Sequence, residues 1–275
     1  MWKPNGRRRT KLLLDYATKM TAYPFNSAYD CVFHAQHKNL YEQYQRFISS
    51  FEVRTIPHFE AAEIPSTYIL PNKPSNKPPW SLKIPSILYT THNKSESTTH
   101  PLALQLLFAE IRHNYSNHQP IYTDGSENQE KVSAAMYAPP SVDTVRPPNN
   151  SSIFSAELYA LLLALQRIQS HKSSKFIVFT DSLPSLHSLS SFKITHPLVL
   201  QLLEFYNVLL QKSETTVFCG NKKVDSIART AWNSDMSSFK VPYSDFKPFS
   251  TKYKNCFWQL EWDTLVINYI EYSPL

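Results

Sequence analysis

Four carboxylates stand where strands and helices could hand their side chains to one crevice. Asp124 follows the short apolar run Ile121, Tyr122, Thr123, and Asp181 follows the longer run Phe176, Ile177, Val178, Phe179 by way of Thr180. In an open α/β sheet, connections at the carboxyl ends of strands bring side chains from several elements together, so both aspartates occupy the place where sites form. Glu157 falls in the expected first turn of a leucine-rich helix. Asp225 lies near the start of another, which carries Val224, Ile227, Ala228 and Ala231. If the two strands are neighbours, all four acids converge. Such a cluster repels itself and is tolerable only when carboxylate pKa values rise or divalent cations neutralise it. Hard oxygen ligands with room for water suit Mg²⁺. Taken singly, each acid has a plain structural explanation in turn chemistry or in the helix dipole, so the argument for a site rests on their combination.

The elements that must position these acids can be read from pattern. Ile121 to Thr123 and Lys131 to Tyr137 read as a hairpin, with Gly125 tolerating positive φ in its turn. Ile153 and Phe154 read as the end of a third strand. Ser155 then caps a helix bearing Leu158, Leu161, Leu162, Leu165 and Ile168. The continuous run Phe176 to Phe179 suits a strand buried on both faces, and a helical crossover into it makes that part of the sheet parallel. Pro184 and Pro197 each open a helix, Thr215 to Cys219 forms a last strand, and Asn221 caps a final helix. The order β-β-β-α-β-α-α-β-α predicts an α/β domain.

Upstream, Leu40 to Phe51 has helical periodicity. Residues 71–95 carry four lysines, five prolines and no acid, which predicts a linker. A helix from Pro101 is expected to turn Leu102, Leu106, Leu107 and Ile111 to one side. Of the 275 residues 42% are hydrophobic, which excludes a chain disordered throughout. The net charge of +6 favours polyanionic partners. Cys31, Cys219 and Cys256 lack paired spacing, which predicts reduced thiols and an intracellular setting, in cytoplasm or nucleus. No apolar window reaches the roughly 20 residues of a membrane span. The basic cluster Arg7, Arg8, Arg9 and Lys11 reads as a solvated terminus, an import signal or a phosphate contact.

Four segments carry a resemblance. They are Ile121-Tyr122-Thr123-Asp124-Gly125-Ser126, Ser155-Ala156-Glu157-Leu158-Tyr159-Ala160-Leu161, Phe179-Thr180-Asp181-Ser182-Leu183 and Gly220-Asn221-Lys222-Lys223-Val224-Asp225-Ser226-Ile227-Ala228. In this order they resemble the ribonuclease H type 1 domain of non-LTR retrotransposon polyproteins. Pro79-Trp80-Ser81-Leu82 and Trp258-Gln259-Leu260-Glu261-Trp262 resemble that domain's flanks, so the likeness covers nearly the whole chain. It implies a mixed five-stranded ribonuclease H-like sheet flanked by helices over residues 116–233. An extension over 1–115 would resemble the end of a reverse transcriptase, and 234–275 would be a tail, both mostly helical or irregular. It also implies hydrolysis of the RNA strand of RNA:DNA hybrids with two Mg²⁺ ions, Mn²⁺ being a substitute. By motif, Asp124 would bridge both ions, Asp225 would help hold the ion that carries the attacking water, and Glu157 with Asp181 would hold the other. Glu157 would also lie near the ribose 2′-hydroxyl, which distinguishes RNA from DNA.

One departure sets an alternative beside that reading. The family has a loop of roughly ten residues, bearing a histidine, between its last strand and the Gly-Asn motif. Here Cys219 runs directly into Gly220, which implies reduced activity, or a degenerate remnant that binds nucleic acid without cleaving it. Other nucleases of related fold fit less well. An exonuclease of that kind carries Asp-x-Glu on its first strand, whereas Asp124 is followed by Gly125 and Ser126.

Overall fold

The computed structural model describes residues 5–33, 51–73, 77–89, 100–128, 131–171, 175–211, 215–220 and 235–271. They form two compact units, Met1–Lys73 with Lys240–Leu275, and Pro74–Phe239. The first unit is helical, with α1 (Asn5–Thr21), α2 (Tyr29–Phe33), α3 (Phe51–Ala61) and the long α8 (Lys247–Glu271). Leu14, Ala22, Ile64, Ile69, Val241 and Phe246 form its buried cluster. A parallel bridge between Ile69 and Val241 ties the point where the chain leaves this unit to the point where it returns. Val241, Tyr243, Phe246, Phe249 and Tyr253, from the stretch expected as a tail, thus share a core with Leu14 and Ala22 of the N-terminal segment. The periodic stretch from Leu40 lies outside the described residues except at Phe51, which opens α3.

The second unit is the expected mixed α/β sheet flanked by helices. Its elements are β1 (Ser86–Leu88), α4 (Pro101–Asn114), β2 (Gln119–Glu127), β3 (Val132–Ala138), β4 (Ser141–Val145), α5 (Ile153–Ser170), β5 (Lys175–Thr180), α6 (Leu183–Ser190), α7 (Pro197–Gln211) and β6 (Thr215–Gly220). The strand order is β1-β6-β5-β2-β3-β4. β2 pairs antiparallel with β3 and parallel with β5, and β5 pairs parallel with β6. Every residue of β5 after Lys175 is buried, as a strand covered on both faces requires. One cover is α4, whose Ile111, Leu107 and Phe108 pack with Ile177, Phe179 and Cys219. Another is α5, packed against β2 and β3, with α7 against α5.

Several boundaries differ from the pattern reading, each for a local reason. The sheet has six strands rather than five, because Ser86–Leu88, inside the stretch read as linker, pairs with Val217–Cys219 on β6. Proline is tolerated just before an edge strand, so Pro85 did not prevent it. The third strand is Ser141–Val145, not the segment ending at Phe154. Its central residues are exposed and show no apolar alternation. Ile153 and Phe154 instead open α5, because the Ser152 hydroxyl accepts from the Ser155 N–H at 3.2 Å and caps the helix three residues earlier than expected. α4 is rotated from its expected facing: Leu102 and Leu106 are exposed, while Ile111 is buried. The final helix expected after Asn221 lies outside the described residues.

Phe179 joins the sheet to its cover. Its ring stacks on Tyr122 at 5.2 Å and lies 5.3 Å from Phe108 of α4. Phe179→Ala is expected to cost about 3–5 kcal/mol, read from urea unfolding. A loss below about 1 kcal/mol would show that α4 is not packed as described.

Candidate metal centre

Asp124 sits within β2 rather than at a turn. The strand continues to Glu127 because its far edge goes on pairing with β3, with Asp124 opposite Ala135 and Glu127 opposite Val132. On the β5 side the ladder reaches Thr123 opposite Thr180, so Asp124 and Asp181 each follow the last paired row. The Thr123 hydroxyl donates to the Phe179 carbonyl at 3.2 Å and fixes the two strands just before the acids. After Asp181 the chain turns at once into α6. There the Ser182 N–H donates to the Thr180 hydroxyl at 3.2 Å, and the Ser182 and Ser185 hydroxyls lie 2.8 Å apart.

Glu157 arrives from α5, which crosses β2 closely. A Cβ at Gly125 would lie 2.9 Å from the Glu157 backbone nitrogen and 3.0 Å from its Cδ, so glycine is required by the approach of helix to strand. This corrects the expected reason for Gly125, since no glycine in the described residues has positive φ. It also corrects the placement of Glu157. With α5 beginning at Ile153, the glutamate is past the first turn, where dipole stabilisation has largely faded. Its burial therefore has no cheap helical explanation.

The three acids meet. One carboxylate oxygen each from Asp124, Glu157 and Asp181 lie within 4.8 Å of one another. Asp124 is 4% exposed and Glu157 is 7% exposed, whereas Asp181 is open to solvent. At an effective dielectric of about 20, two full charges this close repel by roughly 3–4 kcal/mol. Burial first, then the charges of Asp181 and Asp124, push the Glu157 carboxyl up to about 9, opposed by a hydrogen bond from the Gly125 backbone. Glu157 Oε2 is buried with no hydrogen-bond partner among the described residues. An unsatisfied oxygen in a trio of crowded carboxylates is the donor set a hard divalent cation takes, so the residues fit a metal. Asp225, the fourth acid expected here, lies outside the described residues.

Pattern alone brings the three acids to notice, but not the steric role of their neighbour Gly125. The signal was present, since Gly125 is one of only three glycines in the chain and directly follows Asp124. Cys219 is buried in the sheet and Cys256 is exposed, and among the described residues neither forms a disulfide. Among the described residues no helix is long and apolar enough to cross a membrane.

Compared with known proteins, the chain matches no family model and no curated protein. Among solved structures it is similar to RNase H1 from the halophilic archaeon Halobacterium salinarum, at 17% identity and a TM-score of 0.31, over 42% of this chain and 95% of that one.

Two outcomes are expected. Gly125→Ala forces the Glu157 backbone, which cannot swing aside, away from β2, and should cost about 1–3 kcal/mol in urea unfolding. An unchanged midpoint would show that α5 does not rest on Gly125. The second outcome concerns pH. Because the folded-state pKa of Glu157 is raised from 4.5 to about 9, the folded protein holds a proton that the unfolded chain releases. Its contribution to stability is complete below the unfolded value and is lost as pH rises through the folded value. In chelator, Tm should fall between about pH 5 and pH 9 more steeply than in Glu157→Gln, with equal slopes counting against the crowded cluster.

Proposed function

We propose that this chain is a divalent-cation-dependent endonuclease that hydrolyses the RNA strand of RNA:DNA hybrids. The observation that carries the reading is the convergence of Asp124, Glu157 and Asp181 from two adjacent parallel strands and a crossing helix. The order of the four motif segments supplies the substrate class and the descent from a non-LTR retrotransposon. Mg²⁺ is the ion that the oxygen-only donor set suits best, and two such ions would supply an activated water and stabilise the leaving 3′-oxygen.

The chain's own residues have distinct parts in this reading. Asp124 lies within β2, paired to β3 opposite Ala135 and directly after the last row paired to β5, so its carboxylate is the fixed reference of the site. Asp181, exposed at the strand end, is the acid nearest to incoming substrate and solvent. Glu157 approaches from the helix, and its raised pKa lets it hold a proton until a cation or a polar substrate group such as a ribose 2′-hydroxyl takes up its buried oxygen. Asp225 completes the set by motif.

A second reading, a remnant that binds nucleic acid without cleaving it, is favoured by one observation. β6 pairs to its last residue, with Gly220 opposite Thr180, so the glycine of the last motif is itself part of the sheet. No residues remain there for the loop and histidine that the family carries.

The expected result is Mg²⁺-dependent loss of the RNA strand from a labelled hybrid, with duplex DNA and duplex RNA spared. Asp124→Asn should reduce this to background while leaving Tm within a few degrees of the parent. Cleavage retained in Asp124→Asn would remove that residue from the mechanism. A folded, Mg²⁺-saturated protein that binds the hybrid without cutting it would establish the second reading.

A further inference from the structure

The helical unit carries a groove of about 660 Å³ between α1 and α3, lined by Arg9, Leu12, Tyr16, Phe51, Arg54 and His58 among others. Both walls follow helical spacing. Arg9, Leu12 and Tyr16 recur at i, i+3, i+7 on α1, and Phe51, Arg54 and His58 do so on α3, so each helix turns one face to the groove. Tyr16 and Phe51 meet edge to face at 5.5 Å across it. The Arg54 guanidinium lies 5.9 Å from the centroid of the Phe51 ring. The His58 ring is held by the Tyr253 hydroxyl at 3.2 Å from Nδ1.

Among the described residues the charge lining the groove is one-sided: Arg9 and Arg54 are exposed, and none of the described lining residues is an acid. Asp15, on α1 beside it, is already paired with Lys11. Leu12 is 54% exposed and Tyr16 46%, so apolar and aromatic surface is open between the two cationic walls. Guanidinium groups on both walls with a half-exposed ring between them match a phosphate backbone bearing flat bases. An acidic peptide would use the cations but leave the ring without a role. A membrane surface would not reach into a concave site flanked by two helices.

We propose that this groove binds single-stranded nucleic acid, with Arg9 and Arg54 on successive phosphates and a base against Tyr16. The site belongs to a different unit from the carboxylate trio and needs no cleavage, so either assignment can fail without the other.

The test uses the full chain in chelator, with a fluorescent single-stranded RNA of about 16 nucleotides followed by anisotropy. Arg9→Ala with Arg54→Ala should weaken binding about tenfold and flatten the log–log salt slope by about 1.4, since each lost single-strand phosphate contact removes about 0.7. Arg9→Lys with Arg54→Lys should keep the slope. Tyr16→Ala should weaken binding roughly fivefold or more at unchanged slope. Equal affinity of the parent and the double alanine variant, with equal Tm, would overturn the proposal. So would displacement of the RNA by polyglutamate or anionic lipid vesicles at matched charge.

Discussion

Like charges crowded together with little access to water are the constraint around which the second unit is organised. Asp124 and Glu157 are nearly excluded from solvent, yet they lie within 4.8 Å of each other and of Asp181. Ionising Glu157 beside the two aspartates would push outward on a strand and a helix, and both elements must be stiff enough to resist it. β2 resists because it is bonded on both sides, to β3 and to β5. α5 resists because Ser152 caps its start and Leu158, Tyr159, Leu161, Leu162 and Leu165 bury the turns that follow. Gly125 then sets how closely the two approach, since any side chain there would meet the helix backbone. Removing one acid relieves the strain, whereas removing the glycine's empty space displaces the site.

The same constraint explains why Glu157 stays largely protonated near neutral pH until something positive arrives. Desolvation and two neighbouring carboxylates raise its pKa together, and a single backbone hydrogen bond from Gly125 opposes them. A divalent cation at the trio would reverse the balance by attracting all three acids at once, and its binding would then expel the proton. Cation binding at the trio would thus be linked to folding and protonation through one side chain, a linkage that follows from the placement of the acids alone.

Much of this arrangement was legible in the sequence, and the misses have physical causes. The buried strand Phe176–Phe179 and the leucine-rich helix that precedes it were visible because continuous apolar runs and helical spacing reflect burial directly. Asp124, Glu157 and Asp181 could be singled out because their flanking elements were readable. β1 was missed because three residues beside prolines carry almost no periodic signal, and its pairing to β6 is a tertiary fact. β4 was missed because an exposed strand needs no apolar alternation. The facing of α4 was misjudged because leucine is abundant on both of its sides, and only the position of the sheet decides which side is covered. The pairing of the N-terminal helices with α8 could not be read locally at all, since Leu14 and Phe246 meet across the whole of the second unit's sequence.

The most direct test is a calorimetric titration of the full chain with Mn²⁺ near pH 7, repeated in buffers of different ionisation enthalpy. The result expected is saturable binding accompanied by proton release, with both lost in Asp124→Asn and the release alone reduced in Glu157→Gln. Absence of binding to the folded chain, or binding that Asp124→Asn leaves unchanged, would contradict the assignment of these carboxylates as a cation site.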